Sequence, residues 1–237
     1  MTQDALLSLL ALTSLEIILG IDNIVFISIL SGKVAPEQQK KARQMGLFLG
    51  MGIRILMLLG LQWIQQQDHP LFELMGHPFS GKSLMLLMGG LFLLYQSVHE
   101  IHLKLTQPEE EQQIRSQRTG WTAVLIQMAL LNIVFSLDSV ITAVGMAKEL
   151  WVMIAAVIAS MIVMLLAAEP IAKFVQEHVS IKILALSFLV MIGVSLLAEA
   201  FDQHLEKGYI YFAMAFSFAI ELINLRIDKM RNQSSSK

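Results

Sequence analysis

The chain has 237 residues, of which 55% are hydrophobic and 15% charged, against about a quarter charged in an ordinary soluble domain. Its net charge of −2 excludes an electrostatic case for binding nucleic acid, and the absence of cysteine excludes disulfides and thiolate metal sites. A mean hydropathy of +0.63, with apolar residues gathered in blocks of about twenty, the length that crosses a hydrocarbon core as helix, specifies an all-α polytopic membrane protein.

Seven blocks qualify as transmembrane helices, over roughly 5–31, 43–65, 82–103, 121–146, 151–175, 181–200 and 208–227. They are expected to form a single membrane domain over 1–227, followed by a disordered cytosolic tail at 228–237 that ends in a serine run. The opening Met1-Thr2-Gln3-Asp4 lacks the basic region of a signal peptide, so the first block is read as a retained helix. Polar connectors separate the blocks, such as Gly32 to Gln38 and Gln65 to Pro70, and the longest, Lys104 to Thr119, is acidic at Glu109-Glu110-Glu111. That acidic run reads as a solvated loop.

Basic residues set the orientation. Thirteen fall on one side: Lys33, Lys40, Lys41, Arg43, Lys104, Arg115, Arg118, Lys173, Lys182, Arg226, Lys229, Arg231 and Lys237. The other side holds Lys82, Lys148 and Lys207, while Arg54 lies inside helix 2. The N-terminus is therefore expected outside and the C-terminus in the cytosol.

One stretch occurs twice. Leu15-Glu16-Ile17-Ile18-Leu19-Gly20-Ile21-Asp22-Asn23 aligns without a gap on Leu131-Asn132-Ile133-Val134-Phe135-Ser136-Leu137-Asp138-Ser139. Glu16 falls on Asn132, Gly20 on Ser136, Asp22 on Asp138 and Asn23 on Ser139. The copies lie three helices apart and so cross in opposite senses. A weaker echo joins Met88 to Leu94 with Met191 to Leu197. The expected architecture is a 3+3 inverted repeat, about 5–103 and 121–200, plus helix seven, a recurring plan of secondary transporters.

Ionisable groups inside a span are costly and default to functional candidates. Glu16, Asp22, Asn23, Asn132, Asp138 and Ser139 form the candidate metal set, because carboxylates and neutral oxygens suit Mn²⁺, Mg²⁺ or Ca²⁺. Six residues of ideal helix would point Glu16 and Asp22 about 240° apart and about 9 Å along the axis, so an unwinding at Gly20 is expected if both serve one ion. The plainer alternative is that the polar groups bond neighbouring helices, and Thr142 belongs to the same choice. Arg54, Gln127, Glu169, Glu199 and Glu221 are candidates for coupling or gating. Arg54 reads as a structural partner for an acid, with Glu221 a contender. Glu199, Asp202 and His204 could form an exit site or a wet loop. His99, Glu100 and His102 read as interfacial rather than metal-binding, and the fifteen methionines as packing or lipid contacts.

At Glu16 to Asn23 and Phe135 to Gly145 the sequence resembles the TerC family of integral membrane proteins, and the likeness extends through Lys207 to Met214. The resemblance implies a seven-helix inner-membrane protein related to the lysine-exporter superfamily. Several such relatives are linked to Mn²⁺ export, and the family name derives from tellurium resistance. It also implies that Glu16, Asp22, Asn23, Asp138 and Ser139 take the family's acidic and polar positions. Asn132 departs from it, standing where the family commonly has Asp and leaving three carboxylates rather than four.

The function expected is export of a divalent cation, Mn²⁺ first, with H⁺ or Na⁺ as the coupling ion and Glu16 as a protonation site. No permanently bound cofactor is expected. The rivals are transport of another small solute (an amino acid, an organic cation, or one related to tellurite resistance) and a non-transport membrane scaffold or assembly factor. An enzyme is not expected, since no nucleophile–base pair or phosphate loop stands on a connector.

Overall fold

A computed structural model of the chain describes residues 3–60, 70–74, 77–106, 120–146, 149–203 and 205–234. The side chains of residues 3–4, 70–74, 77–78, 138, 141–142, 144–146, 207 and 232–234 lie outside the described set. Within it the protein is helical apart from one hairpin. The helices are α1 (Gln3–Ser31), α2 (Pro36–Leu59), α3 (Gly81–Thr106), α4 (Trp121–Met146), α5 (Leu150–Glu177), α6 (Val179–Ala200) and α7 (Lys207–Ser234). Six are long and apolar enough to cross a membrane, and α4 contributes the apolar stretch Trp121–Leu137.

Several boundaries differ from expectation, each for a local reason. Helix α2 starts at Pro36 rather than near 43, because Pro36 sits at its first positions and Glu37 in its first turn, where a fixed φ and a negative charge favour initiation. Those opening turns are polar, so hydropathy passes over them. Helix α7 continues through Ser234, past the expected end at 227 and into the segment expected to be disordered. Asp228, Lys229 and Arg231 extend it, and Arg231 in the last turn suits the helix dipole. The connector between α2 and α3 carries an unexpected antiparallel hairpin, β1 (Pro70–Leu74) and β2 (His77–Ser80), pairing Leu74 with His77 and Phe72 with Phe79. Phe79 stands edge-on to Phe201 with centroids 5.6 Å apart, tying the hairpin to the end of α6. The Glu109–Glu111 run and His204 lie outside the described residues.

Close glycine contacts fix how the helices run. A Cβ on Gly20 would strike Met164 and one on Gly32 would touch Gln176, so α1 and α5 lie parallel. One on Gly46 would meet Met128 and one on Gly50 would overlap Asn132, so α2 and α4 lie parallel. Gly90 faces Leu197 while Gly193 faces Leu94, so α3 and α6 are antiparallel. The turn Gly32–Ala35 reverses the chain between α1 and α2, so α4 runs against α1. Small residues at such contacts let backbones approach where lipid removes the hydrophobic drive.

Polar groups cluster at the end shared by the α1–α2 turn and the C-terminal parts of α3 and α5. There Lys33 Nζ lies 2.5 Å from Glu100 and Arg43 Nη2 donates to Glu169 at 2.8 Å. Gln176 Nε2 donates to Gln39 at 3.1 Å and Lys182 Nζ to the Gln176 carbonyl at 2.8 Å. Large apolar side chains such as Leu166, Tyr209 and Phe212 are exposed around the periphery, a surface unfavourable in water but matched to hydrocarbon.

Candidate functional site

The repeated stretches meet where α1 crosses α4. Phe26 and Phe135 stack there with centroids 5.8 Å apart. Helix α1 is unbroken from Gln3 to Ser31, so the expected unwinding at Gly20 does not occur. The reason is packing: Gly20 is where Met164 of α5 presses onto the α1 backbone, and any Cβ would collide with its sulfur. Because the helix is intact, Glu16 and Asp22 face different cavities.

Arg54 stands between them. Its Nη1 donates to Glu16 Oε2, and both residues are only 3% exposed. The expected structural partnership of Arg54 with an acid is thus made with Glu16. The rival pairing with Glu221 is not formed; Glu221 lies half-buried on α7. A smaller cavity, with about 250 Å³ of empty space, is bordered by Glu16, Arg54 and Ser139, with Leu12, Val140 and Val157 as apolar walls. A larger one, with about 460 Å³, is bordered by Asp22, Arg54 and Tyr211, with Leu19, Phe135 and Ile192 among its walls. Arg54 is therefore common to both, with one carboxylate on either side.

The remaining candidates divide. Ser139 borders the Glu16 cavity and donates to the Ser136 carbonyl at 3.3 Å. Asn23 is buried beside Asp22. Asn132 Nδ2 donates to the Met128 carbonyl of its own helix at 2.9 Å and, across to α2, to the Gly46 carbonyl at 3.4 Å. That is the bonding-neighbour role weighed for the polar set. The side chain of Asp138 lies outside the described set, as does that of Thr142; their backbone continues α4 unbroken. Gln127 is half-buried with its Oε1 unpartnered among the described residues. Glu169 holds Arg43 at the polar end, away from the Glu16–Arg54 pair. Glu199 is half-buried in the last turn of α6, and Asp202 follows with a φ of 57°. His99 stacks on Tyr95 at 5.7 Å. Among the described residues no group of three or more acidic or histidine side chains is placed to hold a metal.

Two features escaped the sequence reading. Tyr211 reaches the Asp22 cavity from α7, a helix outside the repeat; its only signal is a polar-tipped aromatic inside a span. Ser136 Oγ is fully buried and unpartnered among the described residues, directly opposite the intact Gly20 position in the repeat.

The sequence matches the integral membrane protein TerC family over residues 1–236. The chain belongs to that family. It is 49% identical over 227 residues to a UPF0053 protein of Haemophilus influenzae, covering 96% of each chain. It is 45% identical over 222 residues to the UPF0053 inner membrane protein YgdQ of Escherichia coli, covering 94% of this chain and 93% of that one. The UPF0053 inner membrane protein YoaE of the same organism is 45% identical over 229 residues, but these make up 44% of its length. No solved structure matches. Family, relatives and apolar helices together make this TerC member a multi-pass inner-membrane protein in contact with the lipid bilayer.

Proposed function

We propose that this TerC protein exports a divalent cation, Mn²⁺ foremost, from cytosol to outside by alternating access at the α1–α4 crossing. The observation that carries the reading is the charge arrangement in the apolar core. Glu16 and Asp22 flank Arg54 there, beside the crossing helix that bears Asp138. Buried charges in a span are expensive and mark solute paths. An ion entering from the cytosol would meet Asp22, Asp138 and Glu16 before the halves rock. Expelling two charges against a negative-inside potential costs about 4.6 kcal/mol per 100 mV, so an inward H⁺ or Na⁺ would drive it.

The inverted repeat this cycle requires is supported by the packing. Exchanging α1 with α4, α2 with α5 and α3 with α6 turns the α1–α5 contact into the α4–α2 contact and leaves α3–α6 unchanged. Gly90 facing Leu197 and Gly193 facing Leu94 is the reciprocal contact such an axis produces. The α4 crossing completes seven spans. We place the polar Arg43–Glu169 end in the cytosol. Because the chain has no cysteine, single substitutions read the orientation cleanly. Gln38→Cys should react with a membrane-impermeant maleimide only after the membrane is opened, and Glu206→Cys in intact cells; the reverse pattern would place the polar end outside.

A second reading is favoured by the apolar walls of the Asp22 cavity. Opposed carboxylate and guanidinium groups beside such walls suit a zwitterion such as an amino acid. Competition separates the two in proteoliposomes. The cation reading expects Mn²⁺ flux reduced by excess Cd²⁺ or Co²⁺ and indifferent to amino acids. Amino-acid flux without Mn²⁺ flux would establish the second reading instead, and no flux of either would favour a scaffold.

A further inference from the structure

We infer that Arg54 is a resident counter-cation of the transport path, pairing with the Glu16 carboxylate in the empty protein and giving it up to the arriving ion. This rests on the cation reading above and assigns Arg54 as a positioning and affinity-setting residue. The pair is buried on both sides, with side-chain exposures of 3% and 4%, so neither charge has water to fall back on. Arg54 also borders the Asp22 cavity, so it adjoins the cavities of both acids.

Charge bookkeeping gives the consequence. Glu16, Asp22, Asp138 and Arg54 together carry two net negative charges, which a bound divalent cation brings to neutrality. Without Arg54 the three carboxylates would hold the cation with one negative charge in excess, a tight trap from which release is slow. With Arg54 present, the ion must compete with a tethered cation, and the returning guanidinium helps eject it. A monovalent ion competes less well for Glu16, which biases the path toward double charge.

The test is equilibrium binding of Mn²⁺ to the purified full chain in lipid nanodiscs, paired with flux in proteoliposomes. The variants are Arg54→Gln, Glu16→Gln and the double variant Glu16→Gln/Arg54→Gln. The double variant restores the wild-type sum of charges and protects against a single variant that fails to fold. Expected is an affinity order in which Arg54→Gln binds at least about tenfold tighter than wild type, the double variant stays near wild type, and Glu16→Gln binds weakest. Flux through Arg54→Gln should fall despite its tighter binding. A merely structural pair would instead weaken both single variants together and leave none tighter than wild type, which overturns the inference while the cation reading stands. A folded wild type that binds no Mn²⁺ overturns the cation reading and this inference with it.

Discussion

Replacing Gly90 by alanine is expected to cost about 1–3 kcal/mol of stability, and replacing it by valine more. The Cβ would land 2.8 Å from the Gly193 carbonyl oxygen and 2.9 Å from Leu197 Cγ. The first neighbour is backbone, which no rotamer change can move, so α3 and α6 must separate. That contact joins α3 to α6, helices far apart in the chain, and the loss should therefore spread beyond a local adjustment. Gly193→Ala should behave alike, its Cβ lying 3.1 Å from the Gly90 carbonyl oxygen. Gly52→Ala is the control. Nothing stands within 4 Å of its Cβ, so it should be neutral or stabilise α2 by up to about 1 kcal/mol. Thermal unfolding of the three variants in one detergent reads the difference; equal midpoints would remove the close contact from the account.

Much of this fold is legible in the sequence because a bilayer demands long apolar helices, and α4 is bounded as its hydropathy predicts. What hydropathy cannot register are helical turns lying in water. The polar start of α2 and the charged end of α7 were missed for that reason. The hairpin was hidden because four- and five-residue strands, each carrying a proline, have no alternation long enough to read.

At the site, the residues were legible and their partners were not. Gly20 between two acids licenses either a break or a close approach, and only Met164, far along the chain, decides for the approach. Arg54 needed an acid, but Glu16 and Glu221 were equally eligible until α1 and α2 were placed side by side. Asn132 matched an acidic position in the repeat, yet its amide is committed to backbone carbonyls of its own helix and of α2. A gap-free alignment matches residue types across the halves without saying which neighbour each one meets.

The second large effect is expected at the acids. Asp22 stands on the larger cavity with Arg54 as its charged neighbour, while Glu16 is already compensated. Amidation of Asp22 keeps the shape of the side chain and removes the charge, so the helices should still assemble while the path loses its main attraction for a cation. Asp138 occupies the matching place in the second copy, and Asp138→Asn is expected to act likewise. Each single change should reduce transport at least about tenfold, since each removes a charge that an ion in a low-dielectric core relies upon. The decisive measurement is Mn²⁺ flux into proteoliposomes for wild type, Asp22→Asn and Asp138→Asn, with the folded state of each checked beside it. The account predicts flux in wild type and its loss in both variants; wild-type flux that persists in either would contradict a cation path through the repeated motif.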